Sequence, residues 1–525
     1  MTPAIDRADI EQFRTIVTQR LGLQYDDGKL DYLAEVIRQR MQWEGRARFE
    51  SSPSYLLHLN SSPKGSAEWR ALAEQLTVNE TFFFRNADNF RAFAESVLPE
   101  RIRAKTQEKR LRIISAGCAS GDEPYSLAIM VREALPDLGS WDVQIIGIDI
   151  NPAMIVKATQ ARYSAWSLRA TSEDVRRRYF RADGADFVLA PEIQKMVSFE
   201  ERNLVDEDPL FWQPLACDVV FCRNVLMYFT PEKACGVVRR ISQALLPRGF
   251  LFLGHAETLR GLTHDFHLCH THDTFYYRRR DASEAAATAT WAGTPGEHAE
   301  NSLPAAVEST ASWVDVIQHA ATRIATLAQA QSRSPEQAVP HIPHTDPAGQ
   351  PALPAAPRTW DLWLVLEAVR QERFTDALEL IVSLPPDSNK DPDTLLLRAV
   401  MLTNCGRLDE SEEVCRRLLA LDELNAGAHY VMALCREHAG DSTGAIEHGL
   451  TATYLDVGFS MPHLHLGIIA KRLGDATTAQ RELRQALILL ASEEASRILL
   501  FGGGFSRDTL LQLCRTQLRA AGGEG

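Results

Sequence analysis

The sequence predicts three folded parts in order: an all-α segment, an α/β domain with a mostly parallel sheet covered on both faces, and a C-terminal solenoid of helical repeats. Three observations carry this. Apolar residues recur at helical spacing up to residue 110. Short apolar runs then alternate with helical patterns between residues 111 and 280. Further on, Gly406, Gly440 and Gly474 recur with a period of 34 residues.

In the first part, Ile10, Phe13, Val17 and Leu21 share a helical face, as do Leu30, Leu33, Ile37 and Met41. In the second, Leu111–Ser115, Asp142–Ile148, Cys217–Cys222 and Gly249–Gly254 read as strands, with helices over Tyr125–Leu135 and Pro231–Leu246. Such alternation requires crossover helices on both faces of a parallel sheet. Residues 281–358 hold nine of the chain's 25 prolines and much Ala, Ser and Thr, the composition of a disordered linker. Within it, Trp313, Val316, Ile317, Ala320, Ile324 and Leu327 fall on one face of a short helix. Residues 360–525 hold the repeat. Seven residues before each periodic glycine comes a small residue, Ala399, Ala433 or Gly467; five after it comes Ser411, Ala445 or Ala479. A helix–turn–helix unit of this length, with small residues at the helix contact, resembles tetratricopeptide repeats. An amphipathic helix is expected over Asp508–Leu518.

Charge and composition narrow the function. A net charge of −13 argues against a nucleic-acid surface, which needs clustered Lys and Arg. The acidity is uneven: residues 1–110 carry 17 basic and 16 acidic side chains, residues 360–525 carry 16 and 24. The two ends are therefore expected to meet different partners. No apolar run approaches the ~20 residues of a membrane span. The first 20 residues lack the apolar core of a secretory signal, and none of the nine cysteines forms a CxxC pair, so a cytoplasmic location and no membrane insertion are expected.

The chemistry begins after the first strand of the α/β domain, in Ser115-Ala-Gly-Cys-Ala-Ser-Gly-Asp-Glu-Pro124. Gly117 and Gly121 allow a tight turn and close approach of a ligand, and Pro124 suits a first helical position. A phosphate site would leave the helix N-terminus free for an anion. Here Asp122 and Glu123 already stand there, which suits a ligand with hydroxyls and a cationic amino group. S-adenosylmethionine is such a ligand. Asp149, at the end of the second strand, is placed to accept hydrogen bonds from both ribose hydroxyls.

Three further stretches carry a resemblance: Thr77-Val-Asn-Glu-Thr-Phe-Phe-Phe-Arg85, Gly121-Asp-Glu-Pro-Tyr-Ser126 and Phe221-Cys-Arg-Asn-Val-Leu-Met-Tyr-Phe229. In this order, over roughly residues 5–280, they closely resemble the chemotaxis-receptor glutamate methyltransferases, the CheR family. The resemblance implies an N-terminal helical subdomain (1–110), a Rossmann-like S-adenosylmethionine methyltransferase domain (111–280) with a small β-insert (about 163–199), the linker (281–358) and the repeat domain (360–525). It implies methyl transfer to glutamate side chains of chemoreceptors, without a metal. Asn79, Thr81 and Arg85 should reach the cofactor or reacting centre from the helical side, Glu123 should bind the methionyl part and Asp149 the ribose. Asn203 and Leu204 should flank the adenine, Arg223 and Asn224 should line the floor, and Tyr228 should face the transferred methyl, with Arg85 and Tyr228 holding the substrate carboxylate. Phe82, Phe83 and Phe84 are expected to be core.

The implied partners are the cytoplasmic helices of chemoreceptors in membrane-bound arrays, and an unidentified protein or peptide at the repeats. Arg38 and Arg40 are candidate contacts for an acidic receptor helix. The insert's turn, Arg181–Phe187, is about three residues shorter than in members that grip a receptor's C-terminal tether, which argues against tether docking. Two alternatives are a methyltransferase of another protein and a repeat scaffold with little catalysis. His264, His267, Cys269, His270 and His272 invite a zinc reading, but on a single strand over Phe266–Tyr277 they would point to opposite sides.

Overall fold

A computed structural model describes residues 5–281, apart from 44, 45, 48, 136, 256 and 273, and residues 365–522, apart from 366, 369, 370, 372, 384–390 and 504. The chain divides into two compact units, the described residues up to Asp281 in the first and those from Val365 in the second. The expected linker and the short helix around Trp313 lie outside the described residues.

In the first unit a seven-stranded sheet runs in the order Phe266–Thr271, Thr274–Arg279, Leu245–Leu253, Cys217–Cys222, Arg110–Ala116, Asp142–Asp149, Val197–Glu201. The five strands from Leu245–Leu253 to Val197–Glu201 pair in parallel; the other two form an antiparallel edge. Cys217–Cys222 is buried at every position, as expected of a central strand covered on both faces. The segment expected to be one final strand is instead a hairpin, turning just after Thr271. His270 stacks on Phe275 at 4.4 Å and His272 Nε2 lies 3.0 Å from Glu95. Among the described residues no three His, Cys, Asp or Glu side chains are grouped to hold a metal ion. No helix among them is long and apolar enough to cross a membrane.

Before the sheet come helices Arg7–Leu21, Leu30–Arg40, Ser52–Ser61 and Ala67–Leu76, then a helical run from Ala87 to Ala104 with one π-turn at Phe93–Val97. The last run packs on the sheet: Phe93 meets Phe221 at 5.5 Å and Phe252 at 6.3 Å, and Val97 and Leu98 join the same buried cluster. The sheet's core therefore starts well before residue 110. A buried ion pair latches this run to the strands. Arg101 donates to Asp218 through Nη2 (2.9 Å) and Nε (3.3 Å), and Asp218 also accepts the Arg112 backbone N–H at 3.0 Å. Both side chains are almost wholly buried. Arg40, a candidate receptor contact, is committed elsewhere: it makes a two-pronged pair with the buried Glu68, which also accepts from Tyr55. Arg38 pairs with Glu35 on the surface.

The insert is a three-stranded antiparallel sheet of Arg162–Ser164, Asp186–Leu189 and Phe180–Asp183. Asp183 pairs directly with Asp186, so only Gly184 and Ala185 make the turn. Val197–Glu201, at the expected end of the insert, is the edge strand of the main sheet.

The second unit is helical. Pairs Pro392–Asn404 with Leu408–Leu421, Ala426–His438 with Ser442–Leu455, and Ser460–Arg472 with Ala476–Ser492 repeat the same hairpin. Asp391, Asn425, Asp441 and Asp475 cap helix starts by accepting the backbone N–H three residues on. The periodic glycines close the first helix of each pair with φ of 73°, 80° and 84°, values that cost a side-chain-bearing residue energy. Ala399, Ala433, Ala445 and Ala479 are fully buried, and a Cβ at Gly467 would stand 2.6 Å from Leu483. Small residues thus set the distance between paired helices. Helix Ala495–Phe501 breaks the period and returns to a groove lined by the first helices of all three pairs. There Phe501 packs on Tyr430 at 5.9 Å and on Phe459 at 5.0 Å. An apolar space of about 270 Å³ remains beside it. Arg507–Ala520 ends the chain's described helices.

Candidate active site

Three backbone turns meet above the sheet's carboxyl edge. The first follows strand Arg110–Ala116. Gly117 and Cys118 donate to the Ile148 carbonyl at 2.8 and 3.0 Å, so the turn is tied to the next strand. Gly117 has φ 75°, and a Cβ there would stand 2.3 Å from Val225 Cγ2. The close approach it permits is thus to another turn of the site. The helix starts at Asp122, which puts Pro124 third; that position also lacks an intrahelical acceptor for its N–H, so proline is tolerated. Burial pushes Asp122 up to about 6.

The second turn follows strand Asp142–Asp149. Asp149 Oδ2 accepts the Ala119 N–H and Oδ1 the Asn151 N–H, both at 2.8 Å. Burial raises this carboxyl above its ordinary value despite those two donors. Asn151, which sequence reasoning missed, caps helix Pro152–Gln160 through its oxygen and donates with its amide to Thr77 Oγ1 (2.9 Å) and Asn79 Oδ1 (3.3 Å). An Asn before Pro is a readable capping signal; its second task is not. Through it the Thr77–Arg85 segment is fixed over the strand end.

The third turn is Arg223–Tyr228. Arg223 is buried and pairs with Glu123 at 2.9 Å, while Glu123 also accepts from Ser115 Oγ at 2.7 Å. Burial lowers the Arg223 pKa from its ordinary value. Its Nη2 donates to the Arg85 carbonyl at 2.6 Å, and Arg85 Nη1 donates to the Glu80 carbonyl at 2.6 Å. Asn224 sits at φ 57°. What holds this turn is Glu257, also missed: its two oxygens accept the N–H groups of Asn224 (2.6 Å), Gly254 (2.7 Å), Val225 (2.8 Å) and Met227 (3.2 Å). Tyr228 follows in a short 3₁₀ turn. Its carbonyl accepts the Gln24 N–H at 2.8 Å, beside a bridge between Leu23 and Phe229, so the helical segment reaches across to the floor.

These turns enclose a cavity of about 620 Å³. Asn79, Thr81, Arg85, Glu123, Asp149, Asn203, Leu204, Arg223, Asn224 and Tyr228 all line it, joined on the helical side by Tyr25 and Tyr32. Burial raises Tyr25, whose hydroxyl donates to the Leu76 carbonyl at 2.9 Å. Asn203 is partly committed: its amide donates to the Arg20 carbonyl at 3.0 Å and its oxygen accepts the Val205 N–H at 3.1 Å. Of the three phenylalanines, Phe83 is fully buried against Tyr163 and Phe180, and Phe84 packs on Phe90. Phe82 departs from the core expectation and lines the cavity.

The donor set fits S-adenosylmethionine. Two carboxylates, Asp149 and Glu123, line the cavity together with the Gly117–Ala119 backbone. The first suits vicinal hydroxyls and the second an ammonium group. The helix that carries Glu123 already has Asp122 and Glu123 in its first turn, which disfavours phosphate.

The profile of the family described as CheR methyltransferase, SAM-binding domain, matches residues 79–275. Chemotaxis protein methyltransferase 2 of Vibrio cholerae is 33% identical over 267 residues, half of this chain and 90% of that protein. Two relatives match across nearly the whole length. The probable biofilm formation methyltransferase WspC of Pseudomonas putida is 27% identical over 476 residues, covering 90% of this chain and 96% of that one. Its namesake in Pseudomonas aeruginosa is 26% identical over 479 residues, covering 91% and 98%.

Proposed function

This chain belongs to the CheR methyltransferase family, and from that premise we propose that it esterifies glutamate side chains on the cytoplasmic helices of chemoreceptors. Its methyl donor is S-adenosylmethionine, which supplies an electrophilic methyl on a sulfonium. The observation that carries the substrate reading is that Arg85 and Tyr228 both line one cavity; the reaction needs no nucleophile or general base beside them. A glutamate of reference pKa about 4.3 is already a carboxylate at neutral pH. The Arg85 guanidinium and the Tyr228 hydroxyl hold that carboxylate by hydrogen bonds. The cavity walls exclude the water that would blunt it. One oxygen takes the methyl as the C–S bond breaks, the sulfonium charge is neutralised, and no proton moves. Glu123 receives the ammonium group and Asp149 the ribose hydroxyls, using lone pairs left over from their present partners. Asn203 and Leu204 flank the adenine, and Asn79, Thr81, Arg223 and Asn224 complete the walls.

Receptor labelled through radioactive methyl donor tests this reading. Mild base should release the label as methanol; a base-stable label would assign a different acceptor and overturn it. Tyr228→Phe should lower kcat by about tenfold while changing cofactor affinity little, since its hydroxyl acts on the reacting carboxylate. Equal losses in both would make Tyr228 a cofactor contact only. Asp149→Asn should weaken cofactor binding by about 1–3 kcal/mol in calorimetry. Asparagine is the milder replacement, because it keeps one of the two acceptors that serve Ala119 and Asn151, whereas alanine strips both.

The same reading places the protein in the cytoplasm, recruited to receptor arrays, with a four-part organisation of helical segment, catalytic domain, linker and repeats. The repeats take a protein or peptide partner. Because the relatives that match along the whole chain are named for biofilm formation, the pathway served is one controlling such behaviour.

A further inference from the structure

Beside the cavity, residues 164–169 form consecutive turns: Ser167 donates to the Ser164 carbonyl at 3.1 Å and Leu168 to that of Ala165 at 3.2 Å. Leu168 anchors the segment in the core, and the Phe83 N–H donates to the Ser167 carbonyl at 3.0 Å, joining it to the Thr77–Arg85 segment. On this base lies a stack. The Arg169 guanidinium carbon is 3.5 Å from the centre of the Phe82 ring and 4.2 Å from that of Trp166. Phe82 lines the cavity, and the Arg85 guanidinium carbon is 5.9 Å from the same ring. One aromatic side chain thus carries Arg85 and Arg169 together.

Two features mark the stack as more than packing. Trp166 is 70% exposed, a large apolar side chain left in water beside the site. Second, the charge here runs against the rest of the chain. Residues 162–183 hold six arginines and three acidic residues. Most of these arginines are satisfied at home: Arg162 pairs with Asp183, Arg177 with Asp174, Arg178 with Glu133, and Arg176 covers Phe187. Among the described residues Arg169 forms no ion pair; its Nη1 donates to the Trp166 carbonyl at 2.8 Å. Stacking fixes the guanidinium plane and leaves its other N–H edge free, which preorganises it for a carboxylate.

We propose that Phe82, Arg169 and Trp166 form the ledge on which an acidic substrate helix docks. Arg169 takes a carboxylate about one or two helical turns, roughly 5–11 Å, from the glutamate that enters the cavity. Trp166 covers the apolar face between them. This rests on the carboxylate-methylating function proposed above and adds what selects the helix: a second acid on the face of the target glutamate. Arg169 and Trp166 are positioning residues and touch no reacting atom.

The test uses the full-length enzyme and a purified receptor cytoplasmic fragment. Base-labile methylation by the unaltered enzyme is measured first, and its absence would defeat the proposed function, not the ledge. Given that activity, Arg169→Gln and Trp166→Ala should each raise the KM for receptor about fivefold to tenfold, with kcat within about twofold and calorimetric affinity for S-adenosylmethionine unchanged. Arg169→Lys should restore only part, since an ammonium keeps the charge and loses the planar stack. The KM of the unaltered enzyme should also climb more steeply with salt than that of Arg169→Gln. On the substrate side, changing acids one or two turns from the target to glutamine should raise KM for the unaltered enzyme and not for Arg169→Gln. Its first half is read on the unaltered enzyme alone and so holds even where a variant of the enzyme folds poorly; no rise in KM there would overturn the proposal. Unchanged KM in both enzyme variants, or equal sensitivity of both enzymes to the glutamine substitutions, would overturn the proposal.

Discussion

Glu257→Ala should cut turnover by about a hundredfold or more, although the carboxylate it removes does not line the cavity. The substitution leaves the N–H groups of Asn224, Val225, Met227 and Gly254 without their acceptor. A buried donor so orphaned, as the Gly254 N–H is, costs about 1–3 kcal/mol, and the three half-buried ones add smaller amounts, more in sum than a loop held at positive φ can absorb. The turn will rearrange, carrying Asn224 and Tyr228 with it, and a displacement of about 1 Å at a reacting centre is worth about a hundredfold in rate. Glu257→Gln should fall between, since one of its two positions becomes an amide donor facing N–H groups. Turnover with saturating cofactor, measured beside cofactor affinity, checks this. An alanine variant within about threefold of the parent would show that the turn is held by something else.

Asp218→Ala should be the most damaging single change to stability in the first unit. It strands the Arg101 guanidinium in a nearly dry site and removes the acceptor for the Arg112 N–H. Breaking a buried pair from one side costs about 3–5 kcal/mol. That is a large share of the roughly 5–15 kcal/mol by which domains are stable. Urea unfolding of the full chain, followed by loss of cofactor binding, should show the midpoint of this unit fall sharply. Adding Arg101→Met should recover most of the loss, because the cost lies in the uncompensated charge. A shift no larger than that of an exposed pair would show that water reaches Arg101.

How far the sequence reveals this molecule depends on whether the information is local. Strand Cys217–Cys222 is legible because a parallel strand buried on both faces is a near-continuous apolar run, and Asp142–Asp149 is legible from its apolar second half, Ile145–Ile148. The 34-residue period is legible because a helix stop at positive φ favours glycine, and all three repeats use one there. Seven of the ten expected site residues share a cavity because motifs after strand ends are brought together by parallel topology, and Asn79, Thr81 and Arg85 join them on the segment that Asn151 holds. Glu257 was not legible, since its partners are backbone N–H groups, which leave no mark in side-chain identity. The packing of Ala87–Ala104 on the sheet was missed for a related reason. Its apolar stripe resembles that of the preceding helices, and only the contacts of Phe93 say which core it serves. Arg40 shows the opposite error: a basic residue read as a free surface charge is held by a buried glutamate far along the chain.

Phe501, packed on Tyr430 and Phe459, would turn the repeat groove into a contest for the partner proposed to bind there. A guest that seeks that face meets a rival attached to the same molecule, whose local concentration no dilution can lower. The guest's measured dissociation constant is then its intrinsic one divided by the fraction of molecules with the rival swung out. Affinity for the guest can therefore drift over generations through substitutions in residues 495–505 alone, with every residue that touches the guest left as it was.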